Sequence, residues 1–243
     1  MLNVERFFDD LSYSLSARPE SFEAALTSGA HEHWLATEAS ILLHSRRDDY
    51  GIGGYHKDSQ GLIPQWWIAR EAGLVDLFVA PERPERSQNE TYFAFEFKVI
   101  RSESYKWRVQ LDDLWLQISG SKSIHRNYDP ERVSWYGIVL AFNNFFIPEF
   151  SRVKKAASLT SSIEMEDNFF SAVWGESEPY ENWVVCKSWE VWSSKRSKKP
   201  QYLEKDKESS ARIFLIQGKV IEEKRRLGVS RSSMGVSKIM HCT

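Results

Sequence analysis

Cysteine is nearly missing from this chain: residues Cys186 and Cys242 are the only two among 243. They lie far apart and carry no metal-ligand spacing, so a disulfide framework and a zinc site are both unexpected, and a reducing interior is the natural setting. No apolar run approaches the ~20 residues that span a bilayer. The opening MLNVERFFDDLSYSL carries acidic residues where a leader would place basic ones before an apolar block. A cytoplasmic location without membrane contact is the expectation. Net charge is also small, at −2 for 32 Lys and Arg against 34 Asp and Glu. Such a balance says nothing against a local basic groove. Internal repeats and a clean interdomain linker are absent as well.

What the chain does have is material for a core. Hydrophobic residues make up 42% and aromatics 14%, with 10 Trp, which excludes a disordered chain. The expected organisation is one α/β domain over 1–221, with a core at about 21–142 and a more variable half at 143–221, followed by a flexible tail at 222–243. Periodicity predicts a helix from Ser21 to Ser45, interrupted near Gly29, with Trp34, Leu35, Glu38, Ile41 and Leu42 on one face. The glycine-rich RRDDYGIGGYHKD reads as a loop. Trp66 to Arg70, Leu74 to Ala80 and Thr91 to Ile100 read as strands, the last two forming a hairpin across PERPERSQNE. A helix follows, with Val109, Leu111, Leu114, Trp115 and Ile118 facing inward, and then a central strand from Val133 to Phe142. A helix near Ser158–Trp174 and two strands, NWVVCKSWEVW and ARIFLIQGKVI, complete the order. The fold class is α/β, with helices flanking a mixed sheet.

Three carboxylates interrupt this apolar pattern: Glu38 in the helix stripe, Asp76 in LVDLFVA and Glu96 in FAFEFKVI. A buried ionised carboxylate is costly unless paired, hydrogen-bonded or bound to a cation. Residues two apart on a strand share a face, so Lys98 points the same way as Glu96. A hairpin turning near Arg86 sets Asp76 opposite Glu96, where two like charges need a cation between them. Oxygen ligands without a Cys or His set favour Mg²⁺ or Mn²⁺, and such an ion activates water for attack on a phosphodiester. A Glu-x-Lys triplet is expected about once by chance in a chain of this length, and Glu222-Glu223-Lys224 supplies one. The apolar strand, the neighbouring aspartate and the upstream glutamate together set Glu96-Phe97-Lys98 apart. The plainer reading is a salt bridge between Glu96 and Lys98 on an edge strand.

In these residues the chain resembles the PD-(D/E)xK nuclease superfamily, over roughly Glu32 to Phe142. The resemblance implies a restriction endonuclease-like core and a nuclease hydrolysing phosphodiester bonds, in DNA before RNA, with Mg²⁺ or Mn²⁺ as cofactor and a homodimer as one assembly that would cut duplex. It implies that Asp76, Glu96 and the Phe97 backbone carbonyl hold the metal. Lys98 would then assist the nucleophile, and Glu38 would be an auxiliary ligand, with Glu32 on the same helix as its alternative. Gln110, on the following helix, is the candidate polar residue near the site. The usual proline before the aspartate is Val75 here. The alternative function is a non-catalytic module of the same fold that binds nucleic acid or a protein partner.

Other features carry less. His31-Glu32-His33 would not form a zinc site, because residues i and i+2 diverge on a helix. Gly51-Ile52-Gly53-Gly54 lacks the Lys-Ser/Thr pair of a phosphate loop and reads as a flexible loop near the site entrance. The run Lys195-Arg196-Ser197-Lys198-Lys199 could contact a phosphate backbone or be a solvated hairpin tip. Trp66, Trp67 and Trp107 could stack on bases or simply belong to the core.

Overall fold

The structure, a computed structural model, describes residues 1–28, 31–58, 61–72, 75–82, 91–101, 107–118, 132–143, 183–193 and 210–218. The expected helix at 158–174, the basic run at 195–199 and the tail at 222–243 lie outside them. The described chain runs through helices α1 (Val4–Ser16), α2 (Pro19–Ser28) and α3 (His31–Ser45), a small hairpin of β1 (Tyr55–Asp58) and β2 (Gly61–Pro64), and strands β3 (Trp66–Ala72), β4 (Val75–Pro81) and β5 (Tyr92–Arg101). Then come helix α4 (Trp107–Leu116) and strands β6 (Val133–Asn143), β7 (Trp183–Ser193) and β8 (Ser210–Gly218). Among the described residues no helix is long and apolar enough to cross a membrane.

Strands β3 to β8 form one six-stranded mixed sheet, ordered β3-β4-β5-β6-β8-β7. Strands β3, β4 and β5 make an antiparallel meander, and β6 returns parallel to β5. A parallel return needs a crossover long enough to hold a helix, and α4 is that helix. β6 lies between β5 and β8, the central place that its near-continuous apolar run requires.

Two apolar layers cover the sheet. On one face Phe93, Phe95, Phe97 and Val99 of β5 pack with Phe7, Phe8, Leu11 and Leu15 of α1 and Leu35, Ala36, Ala39 and Leu43 of α3. On the other, Tyr92, Ala94 and Ile100 pack with Leu111, Leu114 and Ile118 around α4. Odd and even positions of β5 thus serve opposite layers, as the pleat demands.

Several expectations change. Helix α1 is an element that the sequence reading passed over. Asn3 caps it by accepting from the Arg6 amide at 3.1 Å, and its Phe7-Phe8-Leu11-Leu15 spacing is a helical core face. Residues 46–54 are no loose loop: Tyr50 and Ile52 are fully buried. The Tyr50 hydroxyl donates to Asp10 at 3.0 Å, while its carbonyl accepts from the Asn3 amide at 2.9 Å. Gly51, at φ +74°, has the Met1 carbonyl oxygen 2.8 Å from where a Cβ would stand, so only glycine fits there. In α4, Val109 faces solvent rather than the core.

In α3 the inward face is turned by about one residue from the expected stripe. Leu35, Ala36, Ala39, Ser40 and Leu43 are buried, whereas Ile41 is exposed. Small side chains let the helix lie close to the sheet, and the larger Trp34 and Leu42 flank the contact.

Asp9 ties α1 to β7, accepting from Lys187 Nζ and Trp189 Nε1, each at 2.6 Å. Burial pushes its carboxyl up, but the hydrogen bonds from Lys187 and Trp189, with the lysine charge, pull it below its ordinary value. A carboxyl depressed by folding stabilises the native state above its unfolded pKa, about 3.9, and that contribution disappears as pH falls through the folded value. Asp9→Asn is therefore expected to lower the urea midpoint at neutral pH and to lose its difference from wild type below about pH 4. At Gly137 a Cβ would stand 3.0 Å from Leu114 of α4. Gly137→Val should destabilise by about 1–3 kcal/mol through overpacking, read in urea unfolding, with partial recovery when Leu114→Ala is added.

Candidate functional site

The site begins where a ladder stops. β4 and β5 are bridged at Val79–Phe93, Phe78–Ala94 and Leu77–Phe95, and no further. That register is centred on residue 86, since 77 and 95 sum to twice 86, and the next pair along it is Asp76 with Glu96. Both residues alternate onto the α4 side of the sheet, as does Lys98. The expected hairpin register and shared face are what the structure has.

Past Phe95, the backbone of β5 on its β4 side loses its strand partner. Side chains take over. Asp76 Oδ2 accepts from the Phe97 amide at 2.8 Å. Two residues on, and therefore on the same side of the strand, the Val99 amide donates to Glu32 Oε1 at 3.3 Å. The Val99 carbonyl accepts from Gln110 Nε2 at 3.4 Å. The N–H and C=O of one strand residue point to the same side, so the Phe97 carbonyl also faces this opening.

Because the ladder is open, groups from the two faces of the sheet meet in its plane. Glu32 comes from the first turn of α3, which packs on the odd-numbered face, and Lys98 comes from the even-numbered face. Lys98 Nζ lies 3.7 Å from Glu32 Oε2, with 16% of the lysine side chain and 40% of the glutamate side chain exposed. Glu96 is buried, at 1% exposure. Gln110 Oε1 is buried and meets no hydrogen-bond partner among the described residues.

Glu38 goes elsewhere. Its Oε2 accepts from Arg18 Nη2 at 2.6 Å, tying α3 to the turn before α2. Six residues of helix separate Glu38 from Glu32, which puts the two on different faces. Of these two helix carboxylates, Glu32 is the one seen to contact β5. The signal for Glu32 was present in the sequence, three and four residues ahead of Leu35 and Ala36, once those rather than Trp34 and Leu42 are taken as the inward face.

The histidines separate as helical spacing requires. His31 Nδ1 sits 2.9 Å from the Ala25 carbonyl, while His33 Nδ1 lies 3.5 Å from Glu71 across on β3. Glu71 is the described non-glycine residue with positive φ, at 52°. It stands in the register place opposite Asp76, between the bridged pairs Arg70–Leu77 and Ala72–Val75. The β3–β4 ladder is thus interrupted at the same aspartate.

Among the described residues no group of three or more His, Cys, Asp or Glu side chains is placed to hold a metal ion. Asp76 keeps one carboxylate oxygen beyond that bonded to Phe97, and Glu96 and the Phe97 carbonyl adjoin it along the strand. Two carboxylates and a carbonyl are hard oxygen donors. In type they suit a magnesium-sized cation, which binds through one or two carboxylates and keeps several waters. Chemically the arrangement combines clustered anions, one ammonium and an opening in the sheet plane.

The chain was compared with protein-family models, curated proteins and solved structures, and none of the three comparisons found a match.

Since Glu38 and Arg18 are partly exposed, with 19% and 45% of their side chains accessible, their coupling in a double-mutant cycle should be at most about 1 kcal/mol. Glu32→Ala should cost more, by about 1–3 kcal/mol, because it leaves the Val99 amide without its acceptor. Urea unfolding of the two alanine variants compares them directly.

Proposed function

We propose that the protein is a metal-dependent nuclease that hydrolyses phosphodiester bonds, in DNA before RNA, on a restriction endonuclease-like core. The observation that carries this reading is the opening between β4 and β5. There Asp76, Glu96 and the Phe97 carbonyl adjoin one another, and an ion-paired Lys98 stands beside them. The helix, antiparallel meander and crossover to a parallel strand that bring Asp76 and Glu96 onto neighbouring strands also support it.

In this reading Asp76, Glu96 and the Phe97 carbonyl hold Mg²⁺ or Mn²⁺. The ion supplies Lewis acidity and a water acidified for attack on phosphorus. The chain's own residues do the rest. Asp76 is oriented by the Phe97 amide, so its second oxygen has a defined direction. Lys98 presents an ammonium that can orient the attacking water and stabilise charge developing on the phosphoryl oxygens. Glu32 holds that ammonium and the Val99 amide, and it takes the role of helix carboxylate in preference to Glu38. Gln110, bonded to the Val99 carbonyl, fixes the far side of the same strand segment.

One observation favours a second reading, a non-catalytic module of this fold that binds nucleic acid or a protein partner. Asp76, Glu32 and Gln110 already satisfy β5 backbone groups, a structural duty that persists without chemistry. Cleavage assays with Mg²⁺ or Mn²⁺ separate the two. The nuclease reading expects cleavage that EDTA abolishes. Asp76→Asn and Lys98→Ala should each lower the rate by about 100-fold or more, with circular dichroism unchanged, and Glu32→Gln should impair it where Glu38→Gln does not. Nucleic-acid binding without cleavage under any of these metals would establish the module instead.

A further inference from the structure

Three tryptophans were candidates for stacking on bases, and the structure treats two of the three quite differently. Trp66 is buried at 6% exposure, its ring 6.4 Å from that of Phe93. Trp67 is 54% exposed. It is paired with Ala80 on β4, which places it on the α4 side of the sheet, the side of Asp76. Ala80 is four residues from Asp76, or about 13 Å along the strand.

The hairpin immediately before β3 has an unusual outer face. Tyr55, Lys57 and Leu62 share it by alternation and register, with Lys57 opposite Leu62 and Tyr55 opposite Pro64. Tyr55 is 59% exposed and Leu62 73% exposed, and Lys57 is exposed between them. The hairpin is joined to β3 by Gln65 alone, whose amide donates to the Gly54 carbonyl at 3.1 Å. A solvated two-stranded ribbon would ordinarily show polar side chains outward. Here two rings, an aliphatic side chain and an ammonium occur within 13 residues, counting from Tyr55 to Trp67.

We propose that Trp67 and the outer face of the β1–β2 hairpin form a platform for an unpaired stretch of nucleic acid that leads to the carboxylate site. This rests on the nuclease reading for its substrate. Rings accept any base by stacking, and the ammonium answers the backbone phosphates, the combination that single-strand sites use. Charge complementarity selects this occupant, because Lys57 would be stranded beneath a purely apolar partner. Trp67 stands one strand from Asp76, so a strand crossing the platform continues toward that residue along the same side of the sheet.

The test uses the full chain carrying Asp76→Asn, which slows cleavage yet keeps an acceptor for the Phe97 amide. Fluorescence anisotropy with a labelled short oligothymidylate and with a duplex of equal length measures binding. Trp67→Ala is expected to weaken binding of the single strand by about 10-fold, and Tyr55→Ala similarly, while Trp67→Phe stays near the parent and duplex binding changes little. Single-strand binding by Trp67→Ala and Tyr55→Ala equal to that of the parent would overturn the platform. So would sedimentation showing that these variants convert a dimer to a monomer, since the face would then be a contact between copies. Wild-type cleavage, run in parallel, keeps the two ideas apart. Cleavage with no effect of Trp67→Ala removes the platform alone, and Trp67-dependent binding with no cleavage removes the nuclease reading alone.

Discussion

The end of the β4–β5 ladder at Leu77–Phe95 is the constraint from which the rest of the site follows. A strand that continues after its partner has stopped leaves backbone amides and carbonyls inside the protein with no ladder to join. Each such group left unmade costs about 1–3 kcal/mol. Here Asp76, Glu32 and Gln110 supply the missing partners to Phe97 and Val99. Polar side chains are thereby required in the middle of an otherwise apolar layer. The same opening lets Lys98 and Glu32 meet from opposite faces of the sheet, which an unbroken ladder would prevent.

That opening is held by rigid surroundings. β5 is sandwiched between an aromatic layer, in which Phe95 contacts Phe7, Phe8 and Tyr136, and the α4 layer of Leu111, Leu114 and Ile118. On its other edge, β5 is paired with β6 along its whole length from Tyr92 to Arg101. The strand cannot shift to close the gap without breaking that parallel ladder. A site built on a strand fixed along one edge and both faces holds its groups in place with little reorganisation, which is what electrostatic stabilisation of a developing charge needs.

Legibility varied with how local the cause was. Strands β4, β5 and β6 could be read from their own apolar runs, and the pairing of Asp76 with Glu96 followed from hairpin register and strand alternation alone. Helix α1 was legible too, in Asn3 and the Phe7-Phe8-Leu11-Leu15 spacing, but a reading aimed at targeting signals passed over it. The choice between Glu32 and Glu38 could not be made locally. Both lie on one amphipathic helix, and large residues suggest one inward face where small ones provide the actual contact. Tyr50 and Ile52 sit in a glycine-rich stretch with every mark of a loop, and only the arrival of α1 buries them.

By itself, then, the sequence determined that there would be a mixed α/β sheet and that Asp76, Glu96 and Lys98 would share one side of a hairpin. Strand periodicity and hairpin register depend only on neighbours along the chain. The tertiary structure decided where the β4–β5 ladder ends, which helix glutamate reaches the opening, and that Trp67 rather than Trp66 faces solvent. Those outcomes depend on how closely a helix packs on a sheet and on which backbone groups are left for side chains to satisfy. Both are set by residues distant in the chain.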